Sequence, residues 1–352
     1  MHHSSILFAS SYAKPTEAGI SIYSFDEESG ESRLLNQVFG IENPSYFNLS
    51  VDGCYLYAVS EMKEGEARVY AFVLDEESKQ LSLLNYQKTE GFSPCYIWIN
   101  RDRSMAVTAN YRGSSINLFP IRGDGRLSPV STVFAYKGQG LNPVRQEKSH
   151  PHCIYSSPEE ENLFVNDLGT DHIYKYRIEM GRAQLIHNED GTIDLHPGEG
   201  PRHAVFHPNG KFAYMICELS GNIVVLNYVN GSLIPIQYIG MCDLEAAGGG
   251  DIHVSPDGNF VYASYRIKSV GIAIYKVDKK NGRLSFIGFT CTKSHPRNFT
   301  LSETGQYLLC ACMNDNLIQT FKINNQSGLL TDIYRDITIN RPACLKMHFS
   351  KS

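Results

Sequence analysis

The 352-residue sequence predicts an all-β fold, a seven-bladed β-propeller built from four-stranded antiparallel blades. Three observations carry that prediction. One type of segment recurs seven times, the recurrences are spaced by about one blade, and the two chain ends supply the complementary strands of a shared blade.

The recurring segments are "PSYFNLSVDG", "PCYIWINRDR", "PHCIYSSPEE", "PRHAVFHPNG", "GDIHVSPDGN", "PRNFTLSETG" and "PACLKMHF". They start at Pro44, Pro94, Pro151, Pro201, Gly249 (one residue ahead of "GDIH"), Pro296 and Pro342, in steps of 46 to 57 residues. Each reads as a first strand, with period-two alternation and a polar turn after it. Third strands follow as "GISIYSFD", "ARVYAFVLD", "SINLFPI", "HIYKYRIE", "NIVVLNYV", "GIAIYKVD" and "LIQTFKIN", and turns such as "EESGES", "RGDG" and "KKNG" lead into the fourth. Helical periodicity is nearly absent. The ends complete the count, because "RPACLKMHF" is a first strand lacking a successor and "SSILFASSY" a second strand lacking a predecessor. Pairing them closes a ring and removes the exposed edges. WD40 signatures are missing, and the one tryptophan, Trp98, falls in a first strand. A single domain over residues 1–352 is expected.

Composition narrows the function. A hydrophobic content of 42% supports a substantial core. A formal charge of −5 and a pI near 6.2 leave no electrostatic footprint for nucleic acid. No window is apolar enough to cross a bilayer as a helix, so no membrane partner is expected. The start, "MHHSSILFASSY", lacks a charged region followed by a long apolar one. Nine cysteines, an odd number with no CxxC pair, suit reduced thiols and a cytoplasmic setting. A monomer or weak homodimer acting on a small molecule is the expectation.

Register places the candidate site. In a propeller the start of the first strand and the end of the second meet at one face. In "PRHAVFHPNGKFAYMICE", Arg202 stands eight positions before Gly210 and Glu218 eight after it, which sets them across from one another. Aligned on their turns, the other first-strand starts are Ser45, Cys95, His152, Gly250, Arg297 and Ala343. The second-strand ends are Glu61, Tyr111, Asp167 or Leu168, Arg266 and Met313, with Tyr12 near the chain start. His152, Arg202 with Glu218, Arg266 and Arg297 thus form a polar arc on neighbouring blades. By itself Arg202–Glu218 would be no more than a cross-strand ion pair. His203, His207 and His253 read as packing or lining groups. Cys95 has no adjacent base, and no GxSxG elbow exists. "EAAGGGD", Glu245 to Asp251, reads as a flexible lead into a strand and not a phosphate loop, since no helix follows.

Over essentially its whole length the chain resembles the seven-bladed propeller lactonase family, which includes the bacterial propeller-type 6-phosphogluconolactonases and is related to the fungal 3-carboxy-cis,cis-muconate lactonising enzyme. The stretches that carry the resemblance are "LNPVRQEKSHPHCIYSSP", "FVNDLGTDHIYKYRI", "GEGPRHAVFHPNGKFAY", "DIHVSPDGNFVYASYR" and "HPRNFTLSETGQYL", with "ANYRGSSINLFPI" beside them. The resemblance implies catalytic roles for His152 in "HPHC", Arg202 in "GPRH" and Glu218. It implies substrate contacts from Arg266 in "YASYR" and Arg297 in "HPRNF". Gln146 and Glu147, in the longest inter-repeat loop, are expected to overhang the same mouth. No metal and no cofactor are implied, and the alternating His150 and His152 fit channel lining better than zinc.

A phosphorylated sugar lactone would bring a dianion and an ester carbonyl. Guanidinium forks suit both phosphate and the oxyanion formed during hydrolysis. A glutamate facing arginine is a weakened base, whereas a histidine in the same field stays neutral, so His152 is the expected base toward water. The reverse assignment, with Glu218 as base, stays open. So do two other activities, lactonising a carboxylated muconate and non-catalytic ligand binding.

Overall fold

The structure is a computed structural model describing residues 4–179, 181–241, 244 and 247–348. Seven antiparallel sheets account for the strands of the described residues. Backbone contacts group the chain into two compact units: Met1–Tyr12, Ile20–Asn36 and Arg202–Ser352 form one, Ala13–Gly19 and Gln37–Pro201 the other.

The first unit holds four of the sheets. One is Pro201–Phe206, Phe212–Cys217, Ile223–Val229 and Ser232–Ile239 in order, and Ala247–Val254, Phe260–Lys268, Gly271–Val277 and Leu284–Cys291 repeat the pattern. The next is Pro296–Leu301, Tyr307–Cys312, Leu317–Ile323 and Leu330–Asp332, with Ile337–Thr338 also pairing the third strand. In the fourth, Ser4–Ser11 pairs Pro342–His348 antiparallel, with Ile6 opposite His348 and Ser11 opposite Pro342. The expected union of the chain ends is therefore present.

The second unit carries three sheets whose first strands are Phe47–Leu49, Pro94–Ile99 and Pro151–Ser156. Helix among the described residues is confined to the 3₁₀ turns Glu189–Gly191 and Met313–Asp315.

Each first hairpin turns through a residue in the left-handed region. Gly210, at φ 70°, does so while donating its N–H to the carbonyl of His207 at 2.9 Å. Arg103 and Glu160 take that conformation at the equivalent turns, so glycine is favoured there but not required.

The cores lie between sheet faces. Phe212, Tyr214 and Ile216 pack with Ile252, Val261 and Tyr275 in the first unit, and Trp98, Val107 and Ile116 with Ile154, Leu163 and Tyr176 in the second. Neighbouring sheets are also tied by a repeated hydrogen bond from a buried second-strand tyrosine to a turn carbonyl. Tyr57 reaches Gly125 at 2.9 Å, Tyr214 reaches Gly282 at 3.0 Å, and Tyr262 reaches Gly328 at 3.0 Å. Each bond satisfies a hydroxyl that burial would otherwise strand.

One irregularity matters for the site. In several sheets the register slips between the first and third residues of the first strand. Pro151 faces Asp167 while Cys153 faces Asn166, leaving His152 as the extra residue of a bulge. Arg297 is extra in the same way, as are Cys95 and Ala343. A bulge breaks period-two alternation and re-aims one side chain.

Candidate active site

In the first unit, Arg202, Glu218 and Arg266 form one buried cluster. Arg202 is 2% exposed. Its Nε donates to Oε2 of Glu218 at 2.9 Å, and Nη2 of Arg266 approaches the same oxygen at 2.7 Å. Glu218 sits just past the end of Phe212–Cys217, as the turn spacing predicts.

One carboxylate cannot satisfy two guanidiniums, and the remaining donors go to backbone. Nε of Arg266 donates to the carbonyl of Gly248 at 3.0 Å and its Nη2 to Gly249 at 2.9 Å, while Nη1 of Arg202 donates to Gly250. Three consecutive glycine carbonyls thus form a cradle for both arginines. Only glycine fits: a Cβ on Gly249 would lie 2.5 Å from the carbonyl oxygen of Cys217, and one on Gly250 would lie 2.9 Å from that of Pro296. The run expected to be a flexible lead is, from Ala247 to Val254, a strand. Glu245 and Ala246 of that expectation, like Cys242, lie outside the described residues.

The cradle continues into Asp251, whose N–H is held by the Ser264 hydroxyl at 2.8 Å. Its carboxylate meets His203 Nδ1 at 2.7 Å, His253 Nε2 at 3.0 Å and the Asn298 amide. Burial alone would raise this carboxyl, but His253 and His203 together hold it well below the usual range. Burial and the neighbouring Arg202 push His203 down to about 4, so the ring is neutral at pH 7. His203 and His253, expected to pack or line, are joined through an aspartate that sequence reasoning did not single out.

Arg297 donates from Nη2 to the Tyr12 hydroxyl at 2.6 Å. Tyr12 also takes two cations on its ring, Arg297 at 5.1 Å and Arg341 at 5.3 Å. Burial, with Arg202 and Arg297 nearby and Glu218 opposing them, lowers Arg266 to about 10, which leaves it charged at neutral pH. His295 joins this field, and neither it nor Arg341 had been singled out. A histidine or arginine directly before a first-strand proline was the available signal.

The remaining predicted residues belong to the second unit. His152 is 5% exposed and meets Tyr111 edge-on, with ring centroids 5.6 Å apart. Tyr111 stacks on His150 at 4.4 Å, and His150 Nε2 lies 3.1 Å from Glu147 Oε1. Burial would raise Glu147, but the His150 bond brings it below its ordinary value. Glu147, His150 and Tyr111 line a cleft of about 410 Å³ with Arg112, Arg145 and Lys148.

Gln146 departs from expectation. It is fully buried, its Nε2 donating to the Leu168 carbonyl at 2.9 Å and its Oε1 accepting from the Asn142 N–H at 3.0 Å. It braces the loop from within and does not overhang a surface, because a buried amide must spend its hydrogen bonds locally. Among the described residues no group of three or more His, Cys, Asp or Glu side chains could hold a metal ion.

The model of a lactonase family with a seven-bladed β-propeller matches residues 6–347. The chain belongs to this propeller lactonase family. It is a lactonase, a carboxylic ester hydrolase, and its seven sheets are the seven blades. The lactonase is 34% identical over 348 residues to a 6-phosphogluconolactonase of Formosa agariphila, covering 97% of this chain and 99% of the relative. It is 31% identical to a 6-phosphogluconolactonase of Bacillus subtilis, covering 96% and 97%. Among solved structures, a periplasmic gluconolactonase of Pseudomonas aeruginosa superposes with a TM-score of 0.91 at 28% identity, over 98% of this chain and 99% of that one. A Bacteroides fragilis structure reaches 0.94 at 41% identity, over 98% of each chain.

Proposed function

We propose that this lactonase hydrolyses a sugar lactone, with 6-phosphogluconolactone as the substrate and 6-phosphogluconate as the product. The observation that carries this reading is the buried guanidinium pair, Arg202 and Arg266, held by one carboxylate and three carbonyls. The names of the Formosa and Bacillus relatives support the same substrate.

Water adds to the lactone carbonyl, and the carbonyl oxygen gathers negative charge. The ring C–O bond then breaks, and a proton passes to the leaving oxygen. Fixed guanidiniums suit that oxyanion because their orientation is settled before the reaction begins. In this reading His152 takes the proton from water, Glu218 holds the arginines, and Arg297 adds positive charge for the anionic substrate. A cytoplasmic setting is part of the same reading, since an odd number of cysteines with no CxxC pair suits reduced thiols.

The test is the decay of enzymatically generated 6-phosphogluconolactone with wild type, Arg202→Ala and no protein. Decay well above the spontaneous rate, falling about 10²–10³-fold in the variant, is expected. Wild type matching the blank would remove the phosphosugar substrate and favour a carboxylated muconate or a non-catalytic ligand.

A further inference from the structure

His295 stands at the corner before Pro296, where the chain enters the strand Pro296–Leu301, and its backbone is left-handed with φ 60°. This corner recurs at Asn43, Ser93, Gly200 and Arg341, each before a first-strand proline. Glycine adopts this conformation freely, and asparagine and histidine are among the residues that take it most readily otherwise. The Nε2 atom of His295 is buried and has no hydrogen-bond partner among the described residues. An orphaned buried nitrogen is unfavourable for folding, and such unsatisfied groups call for a functional explanation.

The surroundings say what that nitrogen can do. Burial together with Arg266, Arg297 and Arg202 presses His295 down to about 4, with Glu218 opposing, so the ring is neutral at working pH. A neutral ring beside cations favours the tautomer whose lone pair faces them. The rest of the cluster is rich in donors, and Oε2 of its carboxylate is shared by Arg202 and Arg266. Donors alone recognise a carbonyl or an anion; a polyol also needs an acceptor.

We propose that His295 Nε2 accepts a hydrogen bond from a hydroxyl of the bound lactone and so makes the arginine cluster selective for polyhydroxylated ligands. This inference rests on the lactone reading above and names the recognition that reading leaves open.

The experiment compares glucono-δ-lactone with δ-valerolactone, which has the same ring and no hydroxyls. The enzymes are wild type, His295→Gly, which fits the corner without an acceptor, and His295→Asn, which fits it and returns a carbonyl. The ratio of kcat/KM for the hydroxylated over the bare lactone should fall about tenfold or more in His295→Gly and recover in part in His295→Asn. The melting temperature of His295→Gly should drop little, because glycine takes the left-handed corner freely. An unchanged ratio, or equal loss on both lactones, overturns the proposal.

If wild type opens neither unphosphorylated lactone, the substrate reading is decided by the 6-phosphogluconolactone assay above, and calorimetry with gluconate and pentanoate decides the role of His295. Preference for gluconate lost in His295→Gly sustains it; preference retained by the variant, or absent from wild type, overturns it.

Discussion

Arg202 Nε lies 2.9 Å from Glu218 Oε2, and both side chains are more than nine-tenths buried. Because Arg266 reaches the same oxygen at 2.7 Å, two guanidiniums depend on one carboxylate in a poorly hydrated place. Pairs of this kind add little net stability relative to apolar residues, but breaking one from a single side is costly.

Glu218→Gln keeps the shape and removes the charge. It should cost about 3–5 kcal/mol of stability, since two buried cations lose their counter-ion. Urea unfolding of wild type and variant measures this directly. A loss below about 1 kcal/mol, the range of exposed pairs, would mean that water reaches the cluster.

Gly249→Ala probes the carbonyl cradle without touching a charge. Its methyl would meet the Cys217 carbonyl at 2.5 Å, so the strand must shift and carry its carbonyls away from Arg266. A destabilisation of about 1–3 kcal/mol is expected from overpacking, with a fall in kcat beyond what the folded fraction explains. Full kcat in the folded variant would show that the arginines need only Glu218.

Acid should weaken the fold through two histidines. His203 and His295 are both held at about 4 against an ordinary 6.5, chiefly by burial and then by arginines. The unfolded chain takes up these protons as pH falls through 6.5, while the folded protein resists until about 4. Their contribution to stability is therefore complete above about pH 6.5 and is lost as pH falls toward 4. Urea midpoints over that window should fall less steeply for His295→Asn than for wild type; parallel slopes would mean that the ring titrates alike in both states.

His152→Gln tests the assignment of the base. Loss of a positioned base typically lowers the rate about 10²–10⁴-fold, and the acid limb of the kcat/KM profile should go with it. An unchanged profile would pass the role to another group, with Glu218 next in line.

Much of the first-unit cluster could be read from the chain because hairpin spacing is rigid. A turn centred on Gly210 sets Arg202 against Glu218 whatever the side chains in between. Arg266 followed by the same count. His295 escaped notice because a histidine before a proline reads as a turn residue, and only the fold reveals its φ and the cations around it. Gln146 was misread because loop geometry is not periodic. Asp251 was passed over because its partners His203 and Asn298 come from two other strands, 48 and 47 positions away.

The sequence by itself determined the seven-fold repeat, the strand order within blades, the union of the chain ends and the turn positions. All of these follow from period-two alternation, proline and glycine punctuation and fixed turn lengths, which are local properties. Tertiary structure decided where the bulges fall, putting His152 and Arg297 out of alternation. It also decided that three glycine carbonyls face two arginines, and that His295 lies among guanidiniums. Those outcomes depend on close approach between strands distant in sequence, where the absence of a Cβ or one extra residue in a ladder redirects a side chain, and no local pattern records that.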